Sequence, residues 1–288
     1  MWNFYFELWH WQGGGEVYNN YFDGSACIDV VDIIKGTYSY GLKIYSNTFY
    51  QSTNIPYPEH GGQAIDIEER GHIEDVYVFD NHIINYVAGI WMEAYVHTSE
   101  GYASANVQNV FIHDNVLENM GASGLGGGQG IKVENSGPDT NVTFSNVNIF
   151  NNTMVGIVQE NMPEVGIRWY AVGTLDGLHI NNNIIVGYGA AVKFALAGDV
   201  SSASMTNLKT MNNLFFACNY NTINLGAVTI IGGSIQTGNL TVDPLFMAIG
   251  NLRLQSSSPC INAGTLFFTS DHSYSGGLPD IGKYEFGR

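Results

Sequence analysis

The chain has little positive charge. Of its 288 residues only 10 are lysine or arginine, against 26 aspartate and glutamate residues, and the formal net charge at pH 7 is −16. Like-charge repulsion opposes the association of such a chain with any polyanion. Nucleic acid is therefore not expected as a partner.

Long apolar runs are also missing. No stretch of about 18 apolar residues occurs, so neither a transmembrane helix nor a membrane partner is expected. The opening residues MWNFYFELWHW lack the basic start and the small-residue cleavage site of a secretory signal peptide. Either the protein stays inside the cell, or its signal has been removed from this sequence.

Cysteine is scarce and irregularly placed. Cys27, Cys218 and Cys260 are odd in number and lack the spacing of metal ligands. We interpret them as small core residues, and a bridge between Cys218 and Cys260 remains an alternative.

Glycine and apolar residues are what the chain has in quantity. It contains 35 glycines, 45% hydrophobic residues and only 12% charged residues. This composition is typical of a turn-rich β protein with a substantial core, and its length suits one large domain or two small ones.

An internal repeat decides the architecture. Seven segments align on an asparagine at intervals of 27, 34, 34, 37, 31 and 30 residues, and the residues three and five positions before it are mostly Val, Ile or Leu. The aligned residues are Asn20, Asn47, Asn81, Asn115, Asn152, Asn183 and Asn213. Alternation with a period of two indicates strands with one inward face. We predict an all-β, right-handed parallel β-helix, a single-domain solenoid of about eight rungs.

The repeated asparagine is predicted to form a corner of the solenoid. Asparagine tolerates left-handed backbone at a tight bend, and identical stacked amides can hydrogen-bond from rung to rung. We expect these residues to stack at one corner, each about 4.8 Å from the next.

A second strand follows five of these corners and alternates apolar with polar residues, as in Ile65-Asp66-Ile67-Glu68. If these strands stack in register, their outward side chains form two columns. The first column is predicted to hold Asp66, Trp91, Lys132, Arg168 and Lys193, and the second Glu68, Glu93, Glu134, Tyr170 and Ala195.

Insertions flank this face and are predicted to wall it into a groove. Residues 51–62 and 121–129 precede the strands, and residues 95–106 and 135–146 follow them. Five rungs span roughly 19 Å, enough for a few sugars of an extended chain.

The favoured interpretation is non-catalytic binding of an extended plant polysaccharide, neutral and xylan-like, because aromatic faces beside polar groups suit sugar rings. The predicted ligand-binding residues are Asp66, Glu68, Trp91, Glu93, Lys132, Glu134, Arg168, Tyr170 and Lys193. The plain alternative is a solvated face whose interspersed charges serve solubility.

Catalysis is a further alternative for the same residues. Lys132 and Arg168 resemble in placement the Lys and Arg pair of β-helix polysaccharide lyases or epimerases, with Lys132 as the base. A glycoside hydrolase would pair two of Glu68, Glu93 and Glu134 across neighbouring rungs. The same three carboxylates could also bind Ca²⁺, whereas no other cofactor is indicated. A structural or adhesive role remains the last alternative.

The end of the chain carries a family resemblance. Asp243-Pro244-Leu245-Phe246, residues 258–264 and residues 279–286 resemble the closing segment of secreted bacterial pectate-lyase-like β-helix proteins. Residues 1–242 would then form the rungs and residues 243–288 the closing segment of the same domain. The resemblance implies an extracellular, glycan-directed protein without identifying a reaction. A part in plant cell wall degradation is expected from the xylan-like ligand favoured above.

The start of the chain lacks a predicted cap. Trp2, Phe4, Phe6 and Leu8 alternate as a strand from the first residues, although solenoids need a capping element. We therefore expect that the chain is cut from a longer protein with a linked catalytic domain.

Overall fold

The fold is seen in a computed structural model that describes residues 6–9, 13–23, 28–32, 38–51, 62–69, 71–95, 104–120, 128–136, 141–156, 164–171, 174–196, 203–224, 226, 228–248, 250–266, 274 and 276–288. Every regular element in these residues is a β-strand, and the strands wind into a right-handed parallel β-helix with three long sheets. The predicted fold class is therefore confirmed. Within the same residues, no helix is long and apolar enough to cross a membrane.

Sheet A carries the two predicted columns. Its strands, in spatial order, are β1 (Phe6–Trp9), β4 (Ile28–Asp32), β8 (Gln63–Glu69), β11 (Ala88–Tyr95), β14 (Gln129–Ser136), β17 (Val165–Ala171), β20 (Ala190–Leu196) and β23 (Tyr220–Asn224). Each pairs in parallel with the strand one rung away, as the parallel coil requires.

Sheet B is the longest sheet. Its strands are β2 (Gly15–Tyr18), β6 (Leu42–Tyr45), β9 (His72–Phe79), β12 (Ala105–His113), β15 (Val142–Phe150), β18 (Thr174–Asn181), β21 (Ser204–Met211) and β24 (Thr229–Thr237), with β5 (Tyr38–Tyr40) paired to β9. The predicted inward positions are buried, for example Val76, Val110 and Val147, each with no exposed area. Sheet B therefore forms one wall of a continuous apolar core.

Sheet C lies between the asparagine corner and sheet A and was not predicted. Its strands are β3 (Tyr21–Asp23), β7 (Thr48–Tyr50), β10 (His82–Ile84), β13 (Val116–Met120), β16 (Thr153–Gly156), β19 (Ile184–Val186) and β22 (Leu214–Phe216). Strands of three to five residues are too short for a period-two pattern to stand out in the sequence.

All seven predicted asparagines stack at one corner, between sheets B and C. The side-chain amide of Asn81 donates to Oδ1 of Asn115 at 3.0 Å, and Asn115 donates to Asn152 at 3.0 Å. The contact repeats between every neighbouring pair, and an eighth residue, Asn239, accepts from Asn213 in the same way. The corner prediction is confirmed, and the asparagine ladder is one residue longer than expected.

The left-handed backbone falls one residue before each asparagine of the ladder. The φ angle is 55° at Asp80, 55° at Asp114 and 54° at Asn151. The expectation that the ladder asparagine itself makes the left-handed bend is therefore wrong. Turning the chain one residue earlier aims the asparagine inward, where the amide of Asn115 also donates to the carbonyl oxygen of Val78 at 2.8 Å.

The last part of the chain packs on the outside of sheet C. After the antiparallel hairpin of β25 (Phe246–Ala248) and β26 (Asn251–Leu254), Leu254, Cys260 and Ile281 join Ile184 and Leu214 in a second apolar cluster. Cys218 and Cys260 are both buried free thiols, so the alternative bridge between them is not formed. Cys27 lies outside the described residues.

A mid-ladder asparagine should matter far more than a terminal one. We predict that Asn115→Ala lowers the free energy of unfolding by about 3 kcal/mol, because the buried donors and acceptors around it lose their partners. Asn20→Ala, at the exposed end of the ladder, should cost only about 0.5 kcal/mol. Urea denaturation of both variants measures the difference, and equal losses would contradict a cooperative buried ladder.

Candidate functional site

The outer face of sheet A presents the two predicted columns in the predicted order. Trp91 pairs with Asp66 and with Lys132, and Lys132 pairs with Arg168. In the second column, Glu93 pairs with Glu68 and with Glu134. The strand pairs also place Lys193 after Arg168, Tyr170 after Glu134, and Ala195 after Tyr170.

A third column, made of the glycines Gly89, Gly130 and Gly166, lies two residues before the first of these columns along each strand. A Cβ atom at Gly89 would lie 2.6 Å from the carbonyl oxygen of Gly130, and one at Gly130 would lie 2.5 Å from that of Gly166. Only glycine fits such close approaches of backbone to backbone. The signal was readable in the sequence, because glycine directly precedes an inward isoleucine in three successive rungs.

Lys132 is the centre of a nearly buried charge cluster. Its ammonium lies 3.6 Å from Oε1 of Glu93 and contacts the carboxylate of Glu134. The side chains of Lys132, Glu93 and Glu134 are only 10%, 7% and 10% exposed. The ammonium also lies 3.7 Å from the centre of the Trp91 ring, so a cation–π contact covers one face of that indole.

Burial lowers the pKa of Lys132 below its ordinary value, because desolvation disfavours the ammonium form. The negative charge of Glu93 opposes this shift, while the nearby positive charge of Arg168 adds to it. The negative charge of Asp66 also opposes the lowering of the Lys132 pKa, because a nearby carboxylate stabilises the ammonium. The net direction is a lysine that releases its proton more easily than a free one.

The next two rungs are joined by a residue that sequence reasoning missed. Glu164, just before β17, accepts a hydrogen bond from Arg168 at 3.1 Å and another from Lys193 at 3.3 Å. The guanidinium of Arg168 lies 4.6 Å from the centre of the Tyr170 ring. Each of the three basic side chains that the columns carry is thus paired with a carboxylate.

Among the described residues, three buried polar atoms of strands β11, β14 and β17 have no hydrogen-bond partner. They are Nε1 of Trp91, Nε of Arg168 and Oε1 of Gln129, a residue of β14 that the sequence did not point to. Leaving such a donor or acceptor unpaired costs about 1–3 kcal/mol each. Two donors and one acceptor near the columns are therefore buried without a hydrogen-bond partner in the described part of the chain.

The calcium assignment to Glu68, Glu93 and Glu134 finds no support in the geometry. No group of three or more acidic, His or Cys side chains converges on a metal position anywhere in the described residues. Instead, Glu93 and Glu134 share the ammonium of Lys132, which supplies the positive charge that a cation would bring.

The predicted walls of the groove fall largely outside the described part of the chain. Most of residues 51–62, 95–106 and 121–129 belong to segments that are not described, and so do residues 137–140 of the fourth insertion. The groove therefore stays a prediction, whereas its floor, the outer face of sheet A, is described.

Sheet B carries aromatic rings of a different kind. Tyr18, Tyr45, Phe79, His113 and Phe150 stack face to face along the solenoid, with ring centres 4.7–5.1 Å apart. Each inner ring has both faces covered by its neighbours. This stack stabilises the rungs but leaves mainly ring edges for a ligand, unlike the mixed columns of sheet A.

Fold and face together define a right-handed parallel β-helix with a charged, partly aromatic outer face on sheet A. A scan against protein-family models and searches of curated proteins and of solved structures each found no match. What the chain does must therefore be inferred from the residues of this face.

Removing the central cation should be more harmful than removing the whole cluster. We predict that Lys132→Met lowers the free energy of unfolding by about 3–5 kcal/mol, because two nearly buried carboxylates then lose their counter-charge. Adding Glu93→Gln and Glu134→Gln should restore most of that loss. Urea denaturation of the wild type, the Lys132→Met variant and the triple variant measures these free energies of unfolding.

The matched control is Lys193→Met, which breaks a partly exposed pair with Glu164 and should cost at most about 1 kcal/mol. If the single Lys132 variant and the triple variant were equally unstable, the ammonium would not be what holds the two carboxylates together.

Proposed function

We propose that the outer face of sheet A binds an extended, neutral polysaccharide of the xylan type without cleaving it. The observation that carries this proposal is the group of buried, unpartnered polar atoms of Trp91, Gln129 and Arg168 beside aromatic rings. A sugar offers hydroxyl groups that both donate and accept hydrogen bonds, together with an apolar ring face. The two donors and the acceptor on this face match that chemistry.

The charge arrangement favours a neutral ligand. Lys132, Arg168 and Lys193 are the basic residues of the columns, and each already contacts a carboxylate. A polyuronate would have to displace these carboxylates, and the net charge of −16 would oppose its approach. A neutral chain meets neither obstacle.

In this proposal the chain works outside the cell as an accessory module of a larger glycan-degrading enzyme. Its support is the resemblance of residues 243–288 to the closing segment of pectate-lyase-like proteins. The described part of this segment packs on sheet C, away from the sheet A columns. The partner domain would supply catalysis, while this face would hold the substrate close to it.

A polysaccharide lyase is the second candidate, because burial lowers the pKa of Lys132 and Arg168 follows it in the same column. The neutral amine of Lys132 would remove the proton next to a uronate carboxylate, and Arg168 would stabilise the developing negative charge. The electron pair left on carbon would form a double bond as the glycosidic oxygen leaves.

A hydrolase is less well supported. The two carboxylates of Glu93 and Glu134 both contact the ammonium of Lys132, which lies between them. A glycosidase instead requires its two carboxyl groups to flank the scissile glycosidic bond.

The binding proposal is tested by affinity electrophoresis on xylan and other neutral polysaccharides, with polygalacturonate as the charged comparison. Trp91→Ala should weaken retention by about tenfold or more, because both an aromatic ring and a free N–H donor are lost. Tyr45→Ala, which removes a ring from the stack on sheet B, is the matched control and should be retained like the wild type. Full retention of the Trp91 variant would move the binding face elsewhere.

The same samples separate binder from lyase. Under the binding proposal no polysaccharide in the panel yields reducing ends or unsaturated uronate absorbance, and Lys132→Ala only weakens retention. Under the lyase alternative the wild type produces unsaturated uronate, and Lys132→Ala slows this by about 10²- to 10⁴-fold. Turnover that disappears with Lys132 would overturn the binding proposal.

A further inference from the structure

The sequence Asn-X-Thr, which is the acceptor pattern for N-linked glycans, occurs three times in the chain. The matches are residues 141–143, 151–153 and 239–241. A solenoid rich in asparagine produces such matches without any function, so the sequence by itself does not select among them. The fold does, because a bulky sugar chain fits only on an amide that reaches the surface.

Two of the three acceptors belong to the asparagine corner. Asn151 is only 4% exposed and directly precedes Asn152, a ladder residue with no exposed area. In the last ladder contact, Nδ2 of Asn239 donates to the carbonyl oxygen of Thr210 at 3.1 Å, and its Oδ1 accepts from Asn213 at 3.0 Å. A sugar on either amide would displace the corner, whose buried hydrogen bonds would then lose their partners.

The third acceptor has the opposite surroundings. Asn141 is exposed and directly precedes β15, between β14 of sheet A and the body of sheet B. Alternation along the strand then turns Val142 inward, where it is 1% exposed, and Thr143 outward, where it is exposed. The acceptor asparagine and the threonine of the pattern therefore lie on the same outer face.

The neighbouring rungs hold the backbone of this acceptor in place. The carbonyl oxygen of Asn141 accepts a hydrogen bond from the backbone N–H of Ala105 at 3.2 Å. The hydroxyl of Thr143 donates to Oδ1 of Asn106 at 3.0 Å on the rung before, and Thr143 pairs with Thr174 on the rung after. A glycan at this position would extend from a regular strand and displace no core residue.

We propose that Asn141 is the attachment site of an N-linked glycan, which rests on the extracellular site of action in the proposed function. In the transfer step, Nδ2 of Asn141 bonds to the anomeric carbon of a sugar that is carried on a lipid diphosphate. The bond from this carbon to the phosphate oxygen breaks, the amide nitrogen loses a proton, and the lipid diphosphate leaves. The glycan adds hydrophilic bulk to the surface between sheets A and B.

Mass spectrometry of the full chain, directed through the secretory route of a eukaryotic cell, tests the site. The intact protein should carry one glycan, which peptide mapping places on Asn141 and which an amidase specific for N-linked glycans removes. Thr143→Val should abolish the glycan and Thr143→Ser should keep it, because the acceptor pattern requires a hydroxyl side chain two residues after the asparagine. Urea denaturation checks that both variants are folded.

Thr241→Val is the matched control, because it removes the pattern at Asn239 and should leave the glycan unchanged. Folded, secreted protein without a sugar on Asn141 would overturn the proposal, and so would a glycan on Asn151 or Asn239 of the folded protein. Xylan retention in affinity electrophoresis is measured separately from the mass. The proposed polysaccharide binding can therefore fail while the glycan on Asn141 is found, and the reverse outcome is equally distinguishable.

Discussion

The register between rungs is the constraint on which the rest of this structure depends. Parallel hydrogen bonding sets each residue about 4.8 Å from its counterpart in the next rung, so like positions form columns along the solenoid. The buried asparagine ladder fixes this register, because a slipped rung would leave amides such as that of Asn115 without their 3.0 Å partners. Each side chain in a column must therefore be compatible with the side chains at the same position in the rungs before and after it.

The type of side chain in a column determines how successive rungs interact. On sheet B, aromatic residues in one column stack their rings at 4.7–5.1 Å and cover each other's faces. On sheet A, two glutamates at successive rungs would repel each other, and the lysine beside them offsets that repulsion. Three of the chain's 10 basic residues lie in the column beside these glutamates; Lys132 contacts the two glutamates, whereas Arg168 and Lys193 contact Glu164.

The pairing of these cations also shapes the proposed function. Salt bridges that neutralise Lys132, Arg168 and Lys193 leave little free positive charge for an acidic ligand, while Trp91 and Gln129 keep polar atoms without partners. Under the proposed function, such a face would discriminate by hydrogen bonding and ring contact instead of by charge.

The repeated asparagines and the period-two strands were enough to predict the β-helix, the corner and both columns of sheet A, because these depend on regular spacing along the chain. The short strands of sheet C, the left-handed residue before each asparagine, and the roles of Glu164 and Gln129 were decided only by the tertiary structure. Spacing determines which residues share a column. Which carboxylate reaches which cation, and which donor stays unpaired, depends on side-chain packing between rungs some 30 residues apart, and no local pattern records it.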